Sequence, residues 1–368
     1  MALEISPQAR AMMPAHLHEL EPYDPKFSPC EINLSANENT HGLPTEITDE
    51  LRQRLSSLEL NRYPDPLATQ VRERIARLYN LTCDNVLAGN GGDELLFDLF
   101  LAFAGAGRRV VLSTPTFSIY KMYATMLNCE LIEVARDPET QKSNVAGLLE
   151  AAQEASLVVV CSPNNPTGEL IAHETVEELL DVCSGIVVVD EAYVEFSHPN
   201  ASMLPLLSKH ENLVVLRTFS KAYALAGARC GYVLSNTGVI AALASVRQTY
   251  SLDSVTQALA QLVLDRHELF ASSISDTVSE RERLYEGLSK LTQYSPEVKL
   301  WPSEANFILV RLPQASKIRE RLRDEWSILV RDFSAEAGLT NCLRITVGTH
   351  DENSRVLEAL TSLVKEEA

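Results

Sequence analysis

The stretch Gly185–Tyr193, GIVVVDEAY, runs through the β-branched residues Ile186 to Val189 into two carboxylates, Asp190 and Glu191. A strand with one wet face alternates polar and apolar side chains, and this run does not, so both of its faces must be covered. The same texture returns at Arg108–Pro115 (RRVVLSTP), Cys129–Ala135 (CELIEVA), Ser156–Pro163 (SLVVVCSP), Asn212–Ser220 (NLVVLRTFS) and Cys230–Asn236 (CGYVLSN). Between the runs, Asp93–Gly107 and Ala172–Gly185 carry apolar residues at helical spacing. This alternation predicts an α/β domain, a mostly parallel sheet between helices. Its functional groups are expected at the carboxyl ends of the strands.

Beyond about residue 270 the pattern changes. Ala271–Leu291 reads as one long amphipathic helix, followed by short strands at ANFILVRL (Ala305–Leu312), SILVRDF (Ser327–Phe333) and LRITVG (Leu343–Gly348) with helices between them, a small α+β domain. At the other end Pro14, Pro22, Pro25 and Pro29 interrupt any long element, so residues 1–32 read as an arm. The expected division is an arm at 1–32, a large domain at 33–270 and a small domain at 271–368. A length of 368 residues with 45% hydrophobic content supports two cores.

Charge and cysteine content narrow the class. A net charge of −18 argues against a general nucleic-acid surface, which needs clustered Lys and Arg. The N-terminal segment lacks the basic and apolar regions of a secretion signal, and no apolar run is long enough to span a membrane, so a cytoplasmic protein is expected. The seven cysteines are scattered, never in a C-x-x-C pair, as buried small hydrophobes in a reducing compartment would be. His16 and His18 lack a Cys or acidic partner at metal-ligand spacing, so no metal site is expected.

The polar residues at the strand ends carry the chemistry. Asp190 closes a buried run, where a carboxylate needs a positive partner. Lys221 follows 31 residues later, about one crossover unit, and so reaches the same edge of the sheet. CSPNNPTG (Cys161–Gly168) turns at another strand end and offers uncharged Asn164 and Asn165; AGNGGDELL (Ala88–Leu96) leads into a helix whose N-terminal amides suit a phosphate. Neither the Walker nor the dinucleotide glycine pattern is present. An amine nucleophile, a carboxylate for a ring N–H⁺ and a phosphate grip at Ser220, Arg229 and Gly92 together fit pyridoxal 5'-phosphate.

At this point the chain resembles a known family. SPNNPTG, VVDEAY and TFSKAYALAGARCG (Thr218–Gly231) are similar to segments of the fold-type-I pyridoxal-phosphate aminotransferases. With NLSANEN, RYPDP, GNGGDE, SEANFILVR, LVRDF and LRITVGT in order, nearly the whole chain resembles their histidinol-phosphate branch. The resemblance implies that Lys221 attaches the cofactor and then moves the proton, its pKa lowered by positive surroundings, while Asp190 keeps the ring nitrogen protonated. It implies that Tyr193 and Asn165 hold the ring's phenolic oxygen and that Phe117 stacks on the ring. Gly92, Asp93, Thr218, Ser220 and Arg229 gather at its phosphate, joined by Tyr63 from a second subunit of a homodimer. For the substrate it implies Arg344 on a carboxylate, Arg331 and Tyr23 on a phosphate, Asn37 lining the pocket and Asn306 supporting Arg344.

The expected reaction is transamination between L-histidinol phosphate, or imidazole-acetol phosphate, and 2-oxoglutarate or glutamate, all small molecules. Phe117 stands where many relatives carry Tyr, and Thr40 where Pro is common. An aromatic or broad-specificity aminotransferase, a decarboxylase of a phosphorylated amino acid, and a cofactor-binding regulator without turnover are the alternatives that these residues leave open.

Overall fold

The computed structural model describes residues 5–18, 20 and 28–367. Its strands are β1 (Ile32–Leu34), β2 (Val86–Gly89), β3 (Arg109–Thr114), β4 (Glu130–Ala135), β5 (Leu157–Cys161), β6 (Ile186–Asp190), β7 (Leu213–Thr218), β8 (Gly231–Ser235), β9 (Lys299–Leu300), β10 (Phe307–Arg311), β11 (Ile328–Asp332) and β12 (Cys342–Thr346). Seven of them form a sheet in the order β2-β8-β7-β6-β5-β3-β4. From β7 to β4 the neighbours are parallel, whereas β8 is antiparallel to both β7 and β2. The apolar run at Cys230–Asn236 is therefore a strand as expected, but it enters the sheet in reverse.

Every residue of β5 and β6 is buried. Alternate side chains go to opposite faces: Val187, Val189 and Val215 join one core, with Val71, Ile75, Val176 and Leu179 from the helices over it. Val188, Val214 and Leu216 join the other, with Leu95, Leu99, Ile119 and Leu243. A strand packed on both faces needs no polar register, which is why the β-branched run tolerates no alternation. Each valine so buried contributes about 1.5–3 kcal/mol.

The second sheet has the order β1-β11-β12-β10-β9 and is antiparallel except for β1, which lies parallel to β11. Helices Ala271–Ser289, Ala315–Trp326 and His350–Glu367 cover it, burying Leu284, Leu288, Ile318, Leu322, Val356 and Leu360. The expected boundary between residues 32 and 33 falls inside β1, where Ile32 pairs with Ile328 and Leu34 with Val330. By pairing, residues 32–34 belong to the smaller sheet. Of the N-terminal arm, a short helix at Pro7–Met12 and a turn at Ala15–Leu17 are described; Tyr23 lies outside the described residues. All seven cysteines are free, and Cys161, Cys183, Cys230 and Cys342 are buried. Among the described residues no helix is long and apolar enough to cross a membrane.

Candidate active site

Strand direction assembles the site. Because β3, β5, β6 and β7 are parallel, Thr114, Cys161, Asp190 and Thr218 end at one edge, with Cys161 directly opposite Asp190. The reversed β8 starts at that edge, Gly231 opposite Thr218, and β2 finishes there, Gly89 opposite Gly231. The turn after β2 thus launches helix Gly91–Phe103 over the end of β7. A side chain at Gly231 would put its Cβ 2.9 Å from the Gly91 carbonyl carbon and the Gly92 nitrogen, and one at Gly91 would meet Nη2 of Arg229 at 2.5 Å. Gly91 also has φ +75°. Bare backbone is required here, and it brings the N–H groups of the helix start beside Arg229.

These elements surround a cavity of about 590 Å³ whose lining includes Lys221, Asp190, Tyr193, Asn165, Phe117, Gly92, Asp93, Thr218, Ser220, Arg229, Arg331, Arg344 and Asn37. On its floor Asp190 is 4% exposed. Its Oδ2 accepts a hydrogen bond from the Tyr120 hydroxyl at 2.6 Å and its Oδ1 one from the Ala192 N–H at 3.1 Å. Burial pushes this carboxyl up to about 6, against the pull of those two donors. Among the described residues no cation pairs with it, so a cationic group in the cavity would relieve the cost of its charge.

Lys221, three residues past β7, donates to the Ala36 carbonyl at 2.8 Å and lies 6.0 Å from the Tyr193 ring centroid. Burial first, and then the Arg344 guanidinium, bring its ammonium down to about 8. An amine near neutral pH, in one cavity with a buried carboxylate that no cation pairs among the described residues, is the donor set that a carbonyl-bearing cationic ring requires. Beside the helix start, Arg229 has the left-handed φ of 52° and pairs with Asp93 at 2.7 Å, while Thr218 Oγ1 donates to Ser220 Oγ at 2.9 Å. The residues present therefore fit pyridoxal phosphate.

The opposite wall comes from the smaller sheet. Arg344, 6% exposed, is flanked by the rings of Phe307 and Phe333 at 5.4 and 5.3 Å. Its Nη1 donates to Asn165 Oδ1 and its Nη2 to the Ser35 carbonyl, both at 2.5 Å. Arg331 stands directly opposite Arg344 in the β11–β12 pairing, and both line the cavity. Asn37, at φ 55°, donates from Nδ2 to the Tyr193 hydroxyl at 3.1 Å, accepts from the Thr346 hydroxyl at 3.1 Å and receives the Asn306 amide on its carbonyl at 3.1 Å.

Thirteen of the residues singled out in the sequence thus meet in one cavity. Tyr63 does not: it is 82% exposed and stacks on Tyr250, with ring centroids 4.6 Å apart. Asn306 sits behind the wall and supports Asn37 rather than Arg344. Sequence reasoning missed Tyr120, although its place three residues after Phe117, in the first turn of the helix that Phe117 caps, was a usable signal. It also missed the Ser35–Ala36 backbone, because carbonyl acceptors leave no mark on a sequence.

A lysine, a buried carboxylate and a bare helix start thus meet at the carboxyl edge of an α/β sheet, facing an arginine-bearing second sheet. Residues 30–360 match the family described as aminotransferase class I and II, and the chain belongs to that family. Among its relatives, Histidinol-phosphate aminotransferase 1 of Carboxydothermus hydrogenoformans is 39% identical over 348 residues, 94% of this chain and 97% of that one. The histidinol-phosphate aminotransferase of Caldanaerobacter subterraneus subsp. tengcongensis is 36% identical over 93% of this chain and 95% of its own. Among solved structures, the histidinol-phosphate aminotransferase of Sinorhizobium meliloti, in complex with pyridoxal-5'-phosphate, superposes with a TM-score of 0.87 at 25% identity, covering 97% of this chain and 99% of that one.

Proposed function

We propose that the protein exchanges an amino group between L-histidinol phosphate and 2-oxoglutarate, giving imidazole-acetol phosphate and glutamate, as a step of histidine biosynthesis in the cytoplasm. The observation that carries this reading is the opposed pair Arg331 and Arg344 in the cavity that also holds Lys221 and Asp190. Pyridoxal phosphate, when bound, supplies an aldehyde for the amino group and a protonated ring that draws electrons from the substrate Cα. The chain's own residues supply the rest. Lys221 would offer a neutral amine to the aldehyde and then, as base and acid in turn, would take the proton from the substrate Cα and pass it to the carbon of that former aldehyde. Asp190 would hold the ring proton, Phe117 would cover the ring, and Tyr193 and Asn165 would bind its phenolic oxygen, while Gly92, Thr218, Ser220 and Arg229 would hold the phosphate, with Asp93 orienting Arg229 through their ion pair.

Histidinol phosphate carries a phosphate and no α-carboxylate, whereas glutamate carries two carboxylates. Two arginines one strand apart meet the dianion in one half-reaction and both carboxylates in the other, with a planar fork for each. Arg331→Ala is expected to raise KM for histidinol phosphate about 10- to 100-fold, the loss of one charge-assisted contact. Phenylalanine, with one carboxylate, should lose only a few-fold as donor. Equal losses for the two donors would remove Arg331 from the phosphate.

The homodimer belongs to the same proposal. Tyr63 and Tyr250 form an exposed aromatic pair, and Leu60 and Leu67 flank Tyr63 in the chain with 69% and 50% exposure. Covering this face with a second copy would send Tyr63 toward the partner's phosphate cradle. Light scattering should give twice the chain mass; a monomer at micromolar concentration contradicts the assignment.

A further inference from the structure

We propose that Tyr120 is a positioning residue that acts through Asp190. Its hydroxyl proton, given to Oδ2, and its ring, set against Phe117, align the carboxylate and the stacking ring for the cofactor. The inference rests on the cofactor reading above. Tyr120 is fully buried on helix Ser118–Met126, and its ring meets that of Phe117 edge-on, with centroids 5.6 Å apart at 89°. The same side chain reaches across to β6 and donates at 2.6 Å. Two groups that must clasp one planar ring, drawn from residues 73 positions apart in sequence, are thus joined by a single phenol.

The groups facing Asp190 leave this role to Tyr120. From β5 comes Cys161, whose thiol is pushed up to about 12 by burial and gives its hydrogen to the Pro163 carbonyl at 3.4 Å, so it stays neutral. From helix Gly91–Phe103 comes the charge of Asp93, and from the next position on its own chain that of Glu191; both oppose ionisation of Asp190. The Ala192 N–H is the other donor, fixed by the backbone. Burial and the neighbouring Asp190 hold the Tyr120 phenol well above its usual range, so it remains a donor at every working pH. Against two negative neighbours, Tyr120 is the one side chain among the described residues that hydrogen-bonds the carboxylate.

The test is a double-mutant cycle read as the dissociation constant of pyridoxal phosphate, by absorbance titration of apoprotein. Tyr120→Phe is expected to weaken binding about tenfold in the wild-type background, the loss of a hydrogen bond to a charged acceptor. In the Asp190→Asn background it should cost less than about twofold, because the interaction it acts through is already gone. The acid limb of the activity profile should move to higher pH in Tyr120→Phe, with KM for the amino donor unchanged. Equal losses in both backgrounds, or an unmoved acid limb, would reduce Tyr120 to core packing and overturn the proposal. If the Phe variant does not fold, 3-fluorotyrosine at 120 keeps the shape and strengthens the donor: tighter cofactor binding is expected, and weaker binding refutes the idea. Wild-type apoprotein that takes up no cofactor would overturn the reading of the site, and this inference with it.

Discussion

Lys221→Ala is expected to lose at least about four orders of magnitude of turnover while remaining folded, because one substitution removes both the amine that attaches the cofactor and the base that moves the Cα proton. The fold should survive. Among the described residues the amine makes one hydrogen bond, to the Ala36 carbonyl, worth about 1 kcal/mol, and its burial as a cation is already unfavourable. The wild-type lysine carries a signature that the variant lacks. With its folded pKa near 8, the neutral fraction rises tenfold per unit below that pH and levels above it. Stopped-flow mixing of apoprotein with pyridoxal phosphate should show attachment rates that climb to about pH 8 and then flatten. A rate constant across that range, or an alanine variant retaining more than about a hundredth of the activity, would exclude Lys221 from the chemistry.

Asp190→Asn is expected to move stability and activity in opposite directions. In the apoprotein the folded carboxyl titrates near 6 against an ordinary 3.8, so between those values the folded state binds more protons than the unfolded one. Stability therefore falls as pH rises through that window, and above it the whole penalty stands, roughly 3 kcal/mol. Asparagine carries no charge to desolvate. The apo variant should melt higher than wild-type apoprotein at pH 8 and no higher at pH 4. Turnover should drop on the order of 10²- to 10³-fold, the loss of a preorganised charge facing the ring nitrogen. Calorimetry of the two apoproteins across pH decides the first half, and a variant less stable at pH 8 would contradict it.

The parts of this molecule that were legible in its sequence are those with short-range causes. Ile186–Val189 is apolar because both faces of β6 are covered, and the unbroken run announces it. Asp190 and Lys221 stand out because charge at the end of such a run has no structural reason to be there. The direction of β8 was not legible, since a two-face-buried strand reads alike either way, yet it is this reversal that carries Arg229 to the cavity. Asn306 was assigned to Arg344 by the resemblance, but its amide goes to the Asn37 carbonyl, a contact fixed only by tertiary geometry. The role proposed for Tyr63 rests on a second chain, and its contacts there cannot be located from a pattern within one chain.

The parallel pairing of β1 with β11 sets an order on the birth of the molecule. Ile32 finds its partner at Ile328, so the edge of the smaller sheet stays open until residue 328 has left the ribosome. Closing a chain loop of nearly 300 residues costs about 5 kcal/mol in entropy if the intervening chain is still disordered. It costs far less once that segment has compacted and brought its own ends together. The seven-stranded sheet, complete by Ser235, is therefore expected to fold first during synthesis and to serve as the tether that delivers the N-terminal strand. Ser35 and Ala36, which follow β1 and receive Arg344 and Lys221, would reach their places last, so that the catalytic cavity closes only as β11 and β12 arrive.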